Sequence, residues 1–379
     1  MTKLIYGTQV NDQLQGTNNN DILHGSAGSD VLLGLAGYDI VDYSRHGKAV
    51  TMLPAGLMSK GGVDKDQLVG IEEVIGAIGH ANTINATGVN GGVSMNINLA
   101  KNALEVKNIP RYGDQRFTVK NFVNVLGSEG ADTIIGGIGN HRFQGNGGND
   151  YLDGGKGNDY LDGGADNDRF RGSVGRDTII GGEGYDTVDY SKLGKAVTML
   201  PAGLMSKGGV GKDQLVRVEE VIGAIGHANT INATGVNGGV SMNVNLAKNK
   251  ATVNNIPYVG NQSFLVKHFV NVLGSESADK IAGNVNNNHL QGNGGDDWLN
   301  GVAGHDTLLG GAGADTFVLA DSHSGFYHQN SDDHALISDL SIHEDVVQLS
   351  IHVEYRLSHS NGNSYLGQFT NGHWDNVAV

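Results

Sequence analysis

The sequence predicts an all-β protein built as a parallel β-solenoid, and three observations support this prediction. A nine-residue unit recurs in three blocks, with glycine at position one, aspartate nearly always at position six and a large apolar residue at position eight. Glycine accounts for 60 of the 379 residues, about 16% against roughly 7% in an average protein, and interior glycine disfavours long helices. The glycines follow no three-residue period and only 4 prolines are present, which excludes a collagen helix.

Each nine-residue unit is predicted to form one turn and one short strand. Positions one to six are rich in Gly, Asn and Asp, which tolerate left-handed turns. Positions seven to nine form a strand whose middle side chain points inward, so two units make a coil of about eighteen residues. The predicted core consists of these inward residues: Leu14, Leu23, Leu32, Val41, Ile134, Phe143, Leu152, Leu161, Phe170, Ile179, Val188, Ile281, Leu290, Leu299, Leu308 and Phe317.

A second, longer repeat has an offset of about 147 residues, and it divides the chain. Residues Tyr38–Asp159 recur as Tyr185–Asp306, and Pro54 and Pro110 match Pro201 and Pro257. The spacers between the blocks lack the nine-residue period, but their short alternating apolar runs predict further strands. We therefore expect six segments: block 1 (1–42), spacer 1 (43–126), block 2 (127–189), spacer 2 (190–273), block 3 (274–318) and a C-terminal cap (319–379).

Composition and charge exclude several classes of function. The chain has no cysteine, which excludes disulfides and thiol catalysis, and its formal charge of −15 favours cations over nucleic acid as partners. No apolar run reaches the ~18 residues that a membrane span requires. The N-terminal sequence MTKLIYG shows no apolar h-region, so no ordinary secretory signal peptide is expected.

Stacked coils place the position-six aspartates in columns, and this arrangement predicts calcium binding. The stacked pairs are Asp12–Asp30, Asp21–Asp39, Asp132–Asp150, Asp150–Asp168, Asp168–Asp186, Asp159–Asp177, Asp279–Asp297 and Asp297–Asp315. Unpaired carboxylates at strand spacing repel one another unless a cation lies between them. Hard oxygen ligands favour Ca²⁺ over transition metals, and the intact pairs predict roughly eight sites.

The units resemble the RTX (repeats-in-toxin) nonapeptide G-G-x-G-x-D-x-U-x. The resemblance implies a parallel β-roll in which Ca²⁺ is held by position-six aspartates, Asp306 included, and by carbonyl groups of the glycine-rich turns. Those carbonyls would belong to Gly28, Gly37, Gly148, Gly157, Gly175, Gly184, Gly295, Gly304 and Gly313. Two units depart from the pattern, because His141 and Asn288 replace aspartate and should border weak or empty sites. Asn82 and Asn229 in the spacers predict coils without metal.

By the same resemblance, the chain is expected to be an extracellular protein whose folding is triggered by Ca²⁺. The spacers and the tail resemble segments of large secreted bacterial RTX proteins, particularly cyanobacterial ones. The implied partner during export is the type I secretion machinery, and the final residues Asp375–Val379 are consistent with its signal. The implied role is structural, adhesive or surface-associated, with a cell-surface or matrix polysaccharide as a further partner.

The alternative is a polysaccharide-acting RTX enzyme, or its accessory module, similar to part of an alginate epimerase. Its support is limited to acidic pairs such as Glu72–Glu73, Glu219–Glu220 and Asp332–Asp333. His343-Glu344 begins a metalloprotease-like motif, but Val347 stands where the second histidine is needed, and no G-x-S-x-G sequence is present.

Two remaining groups of residues have more ordinary interpretations. Seven histidines lie in the last 57 residues, at His323, His328, His334, His343, His352, His359 and His373, without the close spacing of a zinc site. We expect them on the surface or in the cap. Tyr43, Tyr190 and Arg45 are candidates for polysaccharide contact, although packing at a block boundary is the preferred interpretation.

Overall fold

The structure is a computed structural model that describes residues 2–62, 64–89, 92–319, 334–350, 354–360, 363–370 and 373–378. The chain divides into two compact units. Unit 1 comprises Met1–Val188 and Asp213–Val218, and unit 2 comprises Asp189–Lys212 and Glu219–Val379. Within the described residues, no helix is long and apolar enough to span a membrane.

The described residues form forty β-strands, with 3₁₀ turns at Pro54–Gly56, Leu99–Lys101 and Pro201–Gly203. The first twenty strands are β1 Lys3–Tyr6, β2 Gln13–Gln15, β3 Asp21–His24, β4 Val31–Leu33, β5 Ile40–Asp42, β6 Val50–Leu53, β7 Leu57–Lys60, β8 Asp64–Val69, β9 Glu73–Ile75, β10 Asn82–Asn85, β11 Ser94–Asn98, β12 Ala103–Ile109, β13 Gly113–Lys120, β14 Phe122–Leu126, β15 Thr133–Ile135, β16 Arg142–Asn146, β17 Tyr151–Asp153, β18 Tyr160–Ala165, β19 Arg169–Arg171 and β20 Thr178–Glu183. The others are β21 Thr187–Asp189, β22 Thr198–Leu200, β23 Leu204–Ser206, β24 Lys212–Val216, β25 Glu220–Ile222, β26 Asn229–Asn232, β27 Ser241–Asn245, β28 Lys250–Ile256, β29 Gly260–Lys267, β30 Phe269–Leu273, β31 Lys280–Ala282, β32 His289–Gly294, β33 Trp298–Asn300, β34 His305–Ala312, β35 Thr316–Val318, β36 His334–Ile337, β37 Val346–Gln348, β38 Tyr355–Ser360, β39 Asn363–Thr370 and β40 His373–Ala378.

The blocks have the predicted eighteen-residue coil. Successive strands of a block alternate between two sheets, so each strand pairs in parallel with the strand two units later. In block 2, Ile134 lies opposite Leu152, and Phe143 lies opposite Leu161. All sixteen predicted core residues are buried, and every one except Leu14 is fully inaccessible to solvent. The solenoid prediction is therefore confirmed for the blocks.

Unit 1 contains two sheets that continue from block 1 through spacer 1 into block 2. The first sheet follows the order β1-β3-β5-β9-β13-β12-β11-β15-β17-β19. The second follows β2-β4-β8-β7-β6-β10-β14-β16-β18-β20-β24. The parallel order is interrupted twice in spacer 1, where β6–β8 and β11–β13 form antiparallel meanders. Periodicity did not predict these meanders.

Unit 2 repeats this arrangement by itself. Its first sheet is β25-β29-β28-β27-β31-β33-β35-β37, with the antiparallel meander at β27–β29. Its second sheet begins with the antiparallel pair β22–β23 and continues from β22 through β26-β30-β32-β34-β36. In the predicted cap, β36 then pairs with β40, and β38–β40 are antiparallel. His323, His328, Asp332, Asp333, His352 and Val379 lie outside the described residues.

Candidate metal centre

The predicted aspartate columns are present as hydrogen-bonded ladders. In each of the eight predicted pairs, the backbone N–H of one aspartate donates to Oδ1 of the aspartate eighteen residues later, at 2.7–3.0 Å. This contact explains why aspartate recurs at position six: its carboxylate accepts the N–H that begins the neighbouring strand. One oxygen of each downstream carboxylate is therefore used by the fold itself.

The second carboxylate oxygen separates twelve of the fourteen predicted aspartates into two groups of six. In six of them Oδ2 is buried and accepts no hydrogen bond from the described residues, and none of the six is more than 3% exposed: Asp39, Asp150, Asp159, Asp168, Asp297 and Asp315. Buried polar atoms normally have a partner, since an unmet one costs about 1–3 kcal/mol, and more when it is charged. Six such oxygens in repeated positions indicate a ligand that belongs to the fold.

The residue at position two decides to which group an aspartate belongs. Serine or threonine there donates from its N–H or hydroxyl to Oδ2, as in Asp12, Asp21, Asp30, Asp132, Asp177 and Asp279. The six unpartnered aspartates instead follow Leu35, Asn146, Gly155, Gly164, Asn293 and Gly311, all with φ between 78° and 110°. This left-handed conformation accompanies the loss of the donor at Oδ2. This rule was not predicted from the sequence, because it depends on the backbone conformation at position two.

Burial without a partner changes the acidity of these carboxyls. Burial and the charges of neighbouring aspartates raise the pKa of Asp150 to about 8 and that of Asp168 to about 7. The pKa of Asp297 is raised to about 8 for the same reasons. At Asp21, burial raises the pKa, but hydrogen bonds from Thr17 and Lys3 together lower the pKa below its usual value. Asp150, Asp168 and Asp297 thus resist ionisation unless a cation compensates their charge.

The turns above the carboxylates are shaped for close backbone approach. All nine glycines predicted to supply carbonyls have positive φ values, from 88° to 132°. A Cβ on Gly175 would lie 1.7 Å from the carbonyl oxygen of Gly157, one coil earlier. Likewise, a Cβ on Gly145 would lie 1.9 Å from Oδ2 of Asp150. Glycine at these two positions therefore keeps turn carbonyls and the carboxylate oxygen close together.

These oxygens fit the coordination chemistry of Ca²⁺. Within the described part of the chain, no three acidic or histidine side chains converge as a metal-binding group. A cation would therefore be held by a stacked carboxylate pair together with turn carbonyls. Ca²⁺ accepts 6–8 oxygen ligands, carbonyls included, in flexible geometry, whereas Mg²⁺ requires a near-ideal octahedron and retains water. The unpartnered Oδ2 atoms and the open glycine turns supply such a donor set.

The two substituted units of the blocks have different hydrogen bonds. His141 is 7% exposed, and its Nδ1 lies 3.1 Å from Oδ1 of Asp159. Asn288 accepts the N–H of Asn284 at 2.8 Å and donates from Nδ2 to the carbonyl of Val270 at 2.8 Å. In both cases a side-chain nitrogen lies where other units present a carboxylate oxygen. That the sites bordered by His141 and Asn288 are weak or empty stays a prediction.

The spacer asparagines have a similar arrangement. Asn82 is fully buried and accepts the N–H of Val50 at 2.9 Å, as a ladder aspartate would. Its Nδ2 donates to the carbonyls of Ala77 and Asn121, at 2.8 and 2.7 Å. Asn229 has equivalent contacts to Ala224 and His268. An uncharged amide therefore joins oxygens that a metal ion would otherwise have to bridge.

Sequence analysis missed four members of the ladders. Asp66 and Asp213 are fully buried and accept the N–H groups of Asp30 and Asp177, at 2.9 and 3.0 Å. Their signals were visible, because 61–69 reads GGVDKDQLV and 208–216 reads GGVGKDQLV, so the statement that the spacers lack the nine-residue period was wrong. The remaining two are Glu72, which accepts from Asp39, and Asp345, which accepts from Asp315.

The position-five residues form a second ladder that was also missed. Asparagine side chains there accept a backbone N–H from the coil eighteen residues later, as Asn149 does from Asn167 and Asn158 from Arg176. The recurring Asn-Asp dipeptide was the available signal. This ladder holds the turns in register beside the carboxylates.

The structure does not support a polysaccharide contact through the two candidate tyrosines. Tyr43 and Tyr190 are fully buried, whereas Arg45 is exposed. A Cβ on Gly25 would lie 1.9 Å from the ring of Tyr43, so glycine leaves room for this side chain. The tyrosine hydroxyl donates to Oδ2 of Asp66 at 2.7 Å. Packing at the block boundary, the preferred interpretation, accounts for Tyr43.

Comparison with known proteins identifies the repeat. A family model described as the RTX calcium-binding nonapeptide repeat (4 copies) matches residues 6–41, 126–161, 153–188, 273–308 and 282–317. No curated protein matches the chain. Among solved structures, the extracellular lipase LipA from Serratia marcescens matches with 18% identity and a TM-score of 0.21, over 79% of this chain. The chain spans 42% of the length of that lipase, and a similarity this weak supports no argument about fold or activity.

Proposed function

We propose that this calcium-binding RTX protein is exported unfolded and acquires its β-roll structure when extracellular Ca²⁺ fills the aspartate columns. The observation that carries the proposal is the set of six buried Oδ2 atoms that accept no hydrogen bond from the described residues. RTX repeat proteins are typically secreted. Extracellular calcium modules bind with dissociation constants of about 10⁻⁴–10⁻³ M, so such sites would be empty inside a cell and filled outside.

Calcium binding is coupled to folding because the metal-free columns oppose the fold. At neutral pH the unfolded chain ionises its aspartates freely, whereas the folded blocks bury them beside like charges. The core contains one inward apolar residue per nine, and burying these residues offsets only part of the conformational entropy that is lost when so many glycines are ordered. Ca²⁺ removes the electrostatic penalty, and its binding free energy then becomes folding free energy.

The hydrogen bonds at Oδ2 rank the sites. Of the eight stacked pairs, only Asp12–Asp30 contains no aspartate with an unpartnered Oδ2, which leaves seven pairs with at least one such oxygen. We expect these seven to bind Ca²⁺ first and the Asp12–Asp30 pair to bind most weakly. Asp168 belongs to two of the seven pairs, so its loss should weaken two adjacent sites.

The proposed biological role is that of a structural, adhesive or surface-associated protein, exported by type I secretion machinery. The repeats occupy the three blocks, and the spacers extend the same sheets within unit 1 without adding a described acidic or histidine cluster. A panel of acidic polysaccharides, with binding and product formation scored separately, tests this role. Binding without product supports an adhesive role, and product formation would contradict it in favour of an enzyme.

Counting bound calcium tests the molecular part of the proposal. Equilibrium dialysis followed by elemental analysis should give about seven Ca²⁺ per chain at millimolar Ca²⁺, and far less Mg²⁺ under the same conditions. Asp168→Ala should lower the count by two, while the control Asp12→Ala, in the pair expected to bind most weakly, should lower it by at most one. A wild-type count near zero, or equal losses in the two variants, would refute the assignment.

A further inference from the structure

A lysine side chain lies inside the column at the end of block 1. Lys60 is the last residue of β7, whose side chains alternate between outward and inward, and its inward side chain is fully buried. Its Nζ lies 2.5 Å from Oδ1 of Asp66, 3.2 Å from Oδ2 of Asp30 and 2.6 Å from the carbonyl oxygen of Ser26. An ammonium group has three N–H donors, so these three oxygens satisfy it completely.

The surroundings of this ammonium correspond to those of a calcium site in the blocks. Asp30 and Asp66 are consecutive members of one ladder, because the N–H of Asp30 donates to Oδ1 of Asp66. Ser26 is the position-two residue of the unit that contains Asp30, so its carbonyl belongs to the turn. The ammonium therefore contacts two stacked carboxylates and a turn carbonyl, the combination of oxygens that other pairs would present to a metal.

The neighbouring contacts show that the carboxylate oxygens around the Lys60 ammonium all have hydrogen-bond partners. The remaining Oδ2 of Asp66 accepts the hydroxyl of Tyr43, and Oδ2 of Asp30 also accepts the hydroxyl of Ser26. Neither aspartate belongs to the group with an unpartnered buried oxygen, in contrast to Asp150 and Asp168. In the second copy of the spacer, Lys207 stands at the corresponding sequence position, and its side chain is also fully buried.

We propose that Lys60 is a built-in cation that takes the place of Ca²⁺ between Asp30 and Asp66, so that this end of the column is structured without metal. The inference rests on the proposed calcium sites of the blocks, because it assigns to the ammonium the position that Ca²⁺ holds elsewhere. The hairpin formed by β7 and β8 is then a metal-independent segment directly against a calcium-dependent one. Folding would extend from it into the blocks when Ca²⁺ arrives.

Amide hydrogen exchange of the full-length wild-type protein tests this difference. In EDTA and in millimolar Ca²⁺, peptides covering Leu57–Lys60 and Asp64–Val69 should exchange at the same rate. Peptides covering Tyr151–Asp153 and Tyr160–Ala165 in block 2 should exchange much more slowly once Ca²⁺ is added. Equal calcium dependence in hairpin and block would overturn the inference, whereas an unresponsive block would instead contradict the proposed function.

The variant Lys60→Ala tests the replacement itself, with Lys65→Ala, an exposed lysine of the same hairpin, as the matched control. In EDTA, Lys60→Ala should increase hairpin exchange by on the order of 100-fold, because removing one partner leaves buried carboxylates uncompensated. Millimolar Ca²⁺ should restore protection, and the bound calcium should rise by one per chain. Unchanged stoichiometry, or a hairpin that stays protected in EDTA, would overturn the inference, and Lys65→Ala should change neither quantity.

Discussion

Replacing Asp150 by asparagine should stabilise the calcium-free protein, although it removes a proposed calcium ligand. Asp150 is 2% exposed, and its Oδ2 accepts no hydrogen bond from the described residues. Asparagine keeps the Oδ1 atom that accepts the N–H of Asp132. Its amide nitrogen would carry no charge into the site, and Asn82 already shows such an amide bridging turn carbonyls in this chain.

The magnitude follows from the raised pKa. Burial raises the pKa of the Asp150 carboxyl from 3.8 to about 8, so at pH 7 it is largely protonated when folded and ionised when unfolded. Ionisation therefore favours the unfolded chain by about 4 kcal/mol at pH 7 and about 2 kcal/mol at pH 5. Because the folded-state pKa is raised, this group's contribution to stability is lost as the pH rises from about 4 through about 8. Asparagine removes that dependence.

Because the calcium-free chain is expected to be expanded at pH 7, its folding is induced in EDTA with an excluded osmolyte such as sucrose and followed by circular dichroism. Asp150→Asn should raise the free energy of unfolding by up to about 4 kcal/mol at pH 7 and by roughly half as much at pH 5. Asp12→Asn is the control, because both oxygens of Asp12 already accept hydrogen bonds from Thr8. In millimolar Ca²⁺ the order should reverse, with wild type more stable than Asp150→Asn. A calcium-free Asp150→Asn protein that is no more stable than wild type at pH 7 would refute the reasoning.

Three further predictions follow from the same geometry. In EDTA, lowering the pH from about 8 to about 5 should increase the β signal and reduce the hydrodynamic radius, because protonation removes the carboxylate repulsion; no change with pH would contradict this. Asp168→Ala should raise the Ca²⁺ concentration at the midpoint of compaction about tenfold more than Asp12→Ala does. Equal shifts in the two variants would show that Asp168 is not shared between two sites. His141→Asp, and likewise Asn288→Asp, should each add one bound Ca²⁺ and raise the melting temperature in Ca²⁺. Calorimetry that finds unchanged stoichiometry would show that these positions are not missing ligands.

Much of the fold was predictable because the repeat positions indicate the core, the ladders and the strand register. Position eight identified the core, position six identified the ladders, and the eighteen-residue offset gave the register that pairs Ile134 with Leu152. These predictions depend only on local spacing, which a perfect repeat preserves. The antiparallel meanders in the spacers depend on contacts between segments that share no period, and the sequence pattern does not contain them.

The site was less predictable, for two physical reasons. An isolated unit such as 61–69, with Asp66 at position six, has no adjacent unit in the sequence that would reveal a period, so it was overlooked although Asp66 extends an aspartate column. A lysine such as Lys60 is ordinarily exposed, and only the inward alternation of β7 shows that its ammonium is buried. The role of position two required the backbone conformation, since glycine, asparagine and leucine share the same positive φ there.

The most direct test of the account is a calcium titration of the intact wild-type protein, followed by far-ultraviolet circular dichroism and hydrodynamic radius. Starting from EDTA at pH 7, we expect an expanded chain with reduced β signal. It should become compact and gain β signal cooperatively as Ca²⁺ reaches about 10⁻⁴–10⁻³ M, the affinity range of extracellular calcium modules. Mg²⁺ at the same concentrations should have little effect. A chain whose spectrum and radius are the same with and without Ca²⁺ would contradict calcium-coupled folding.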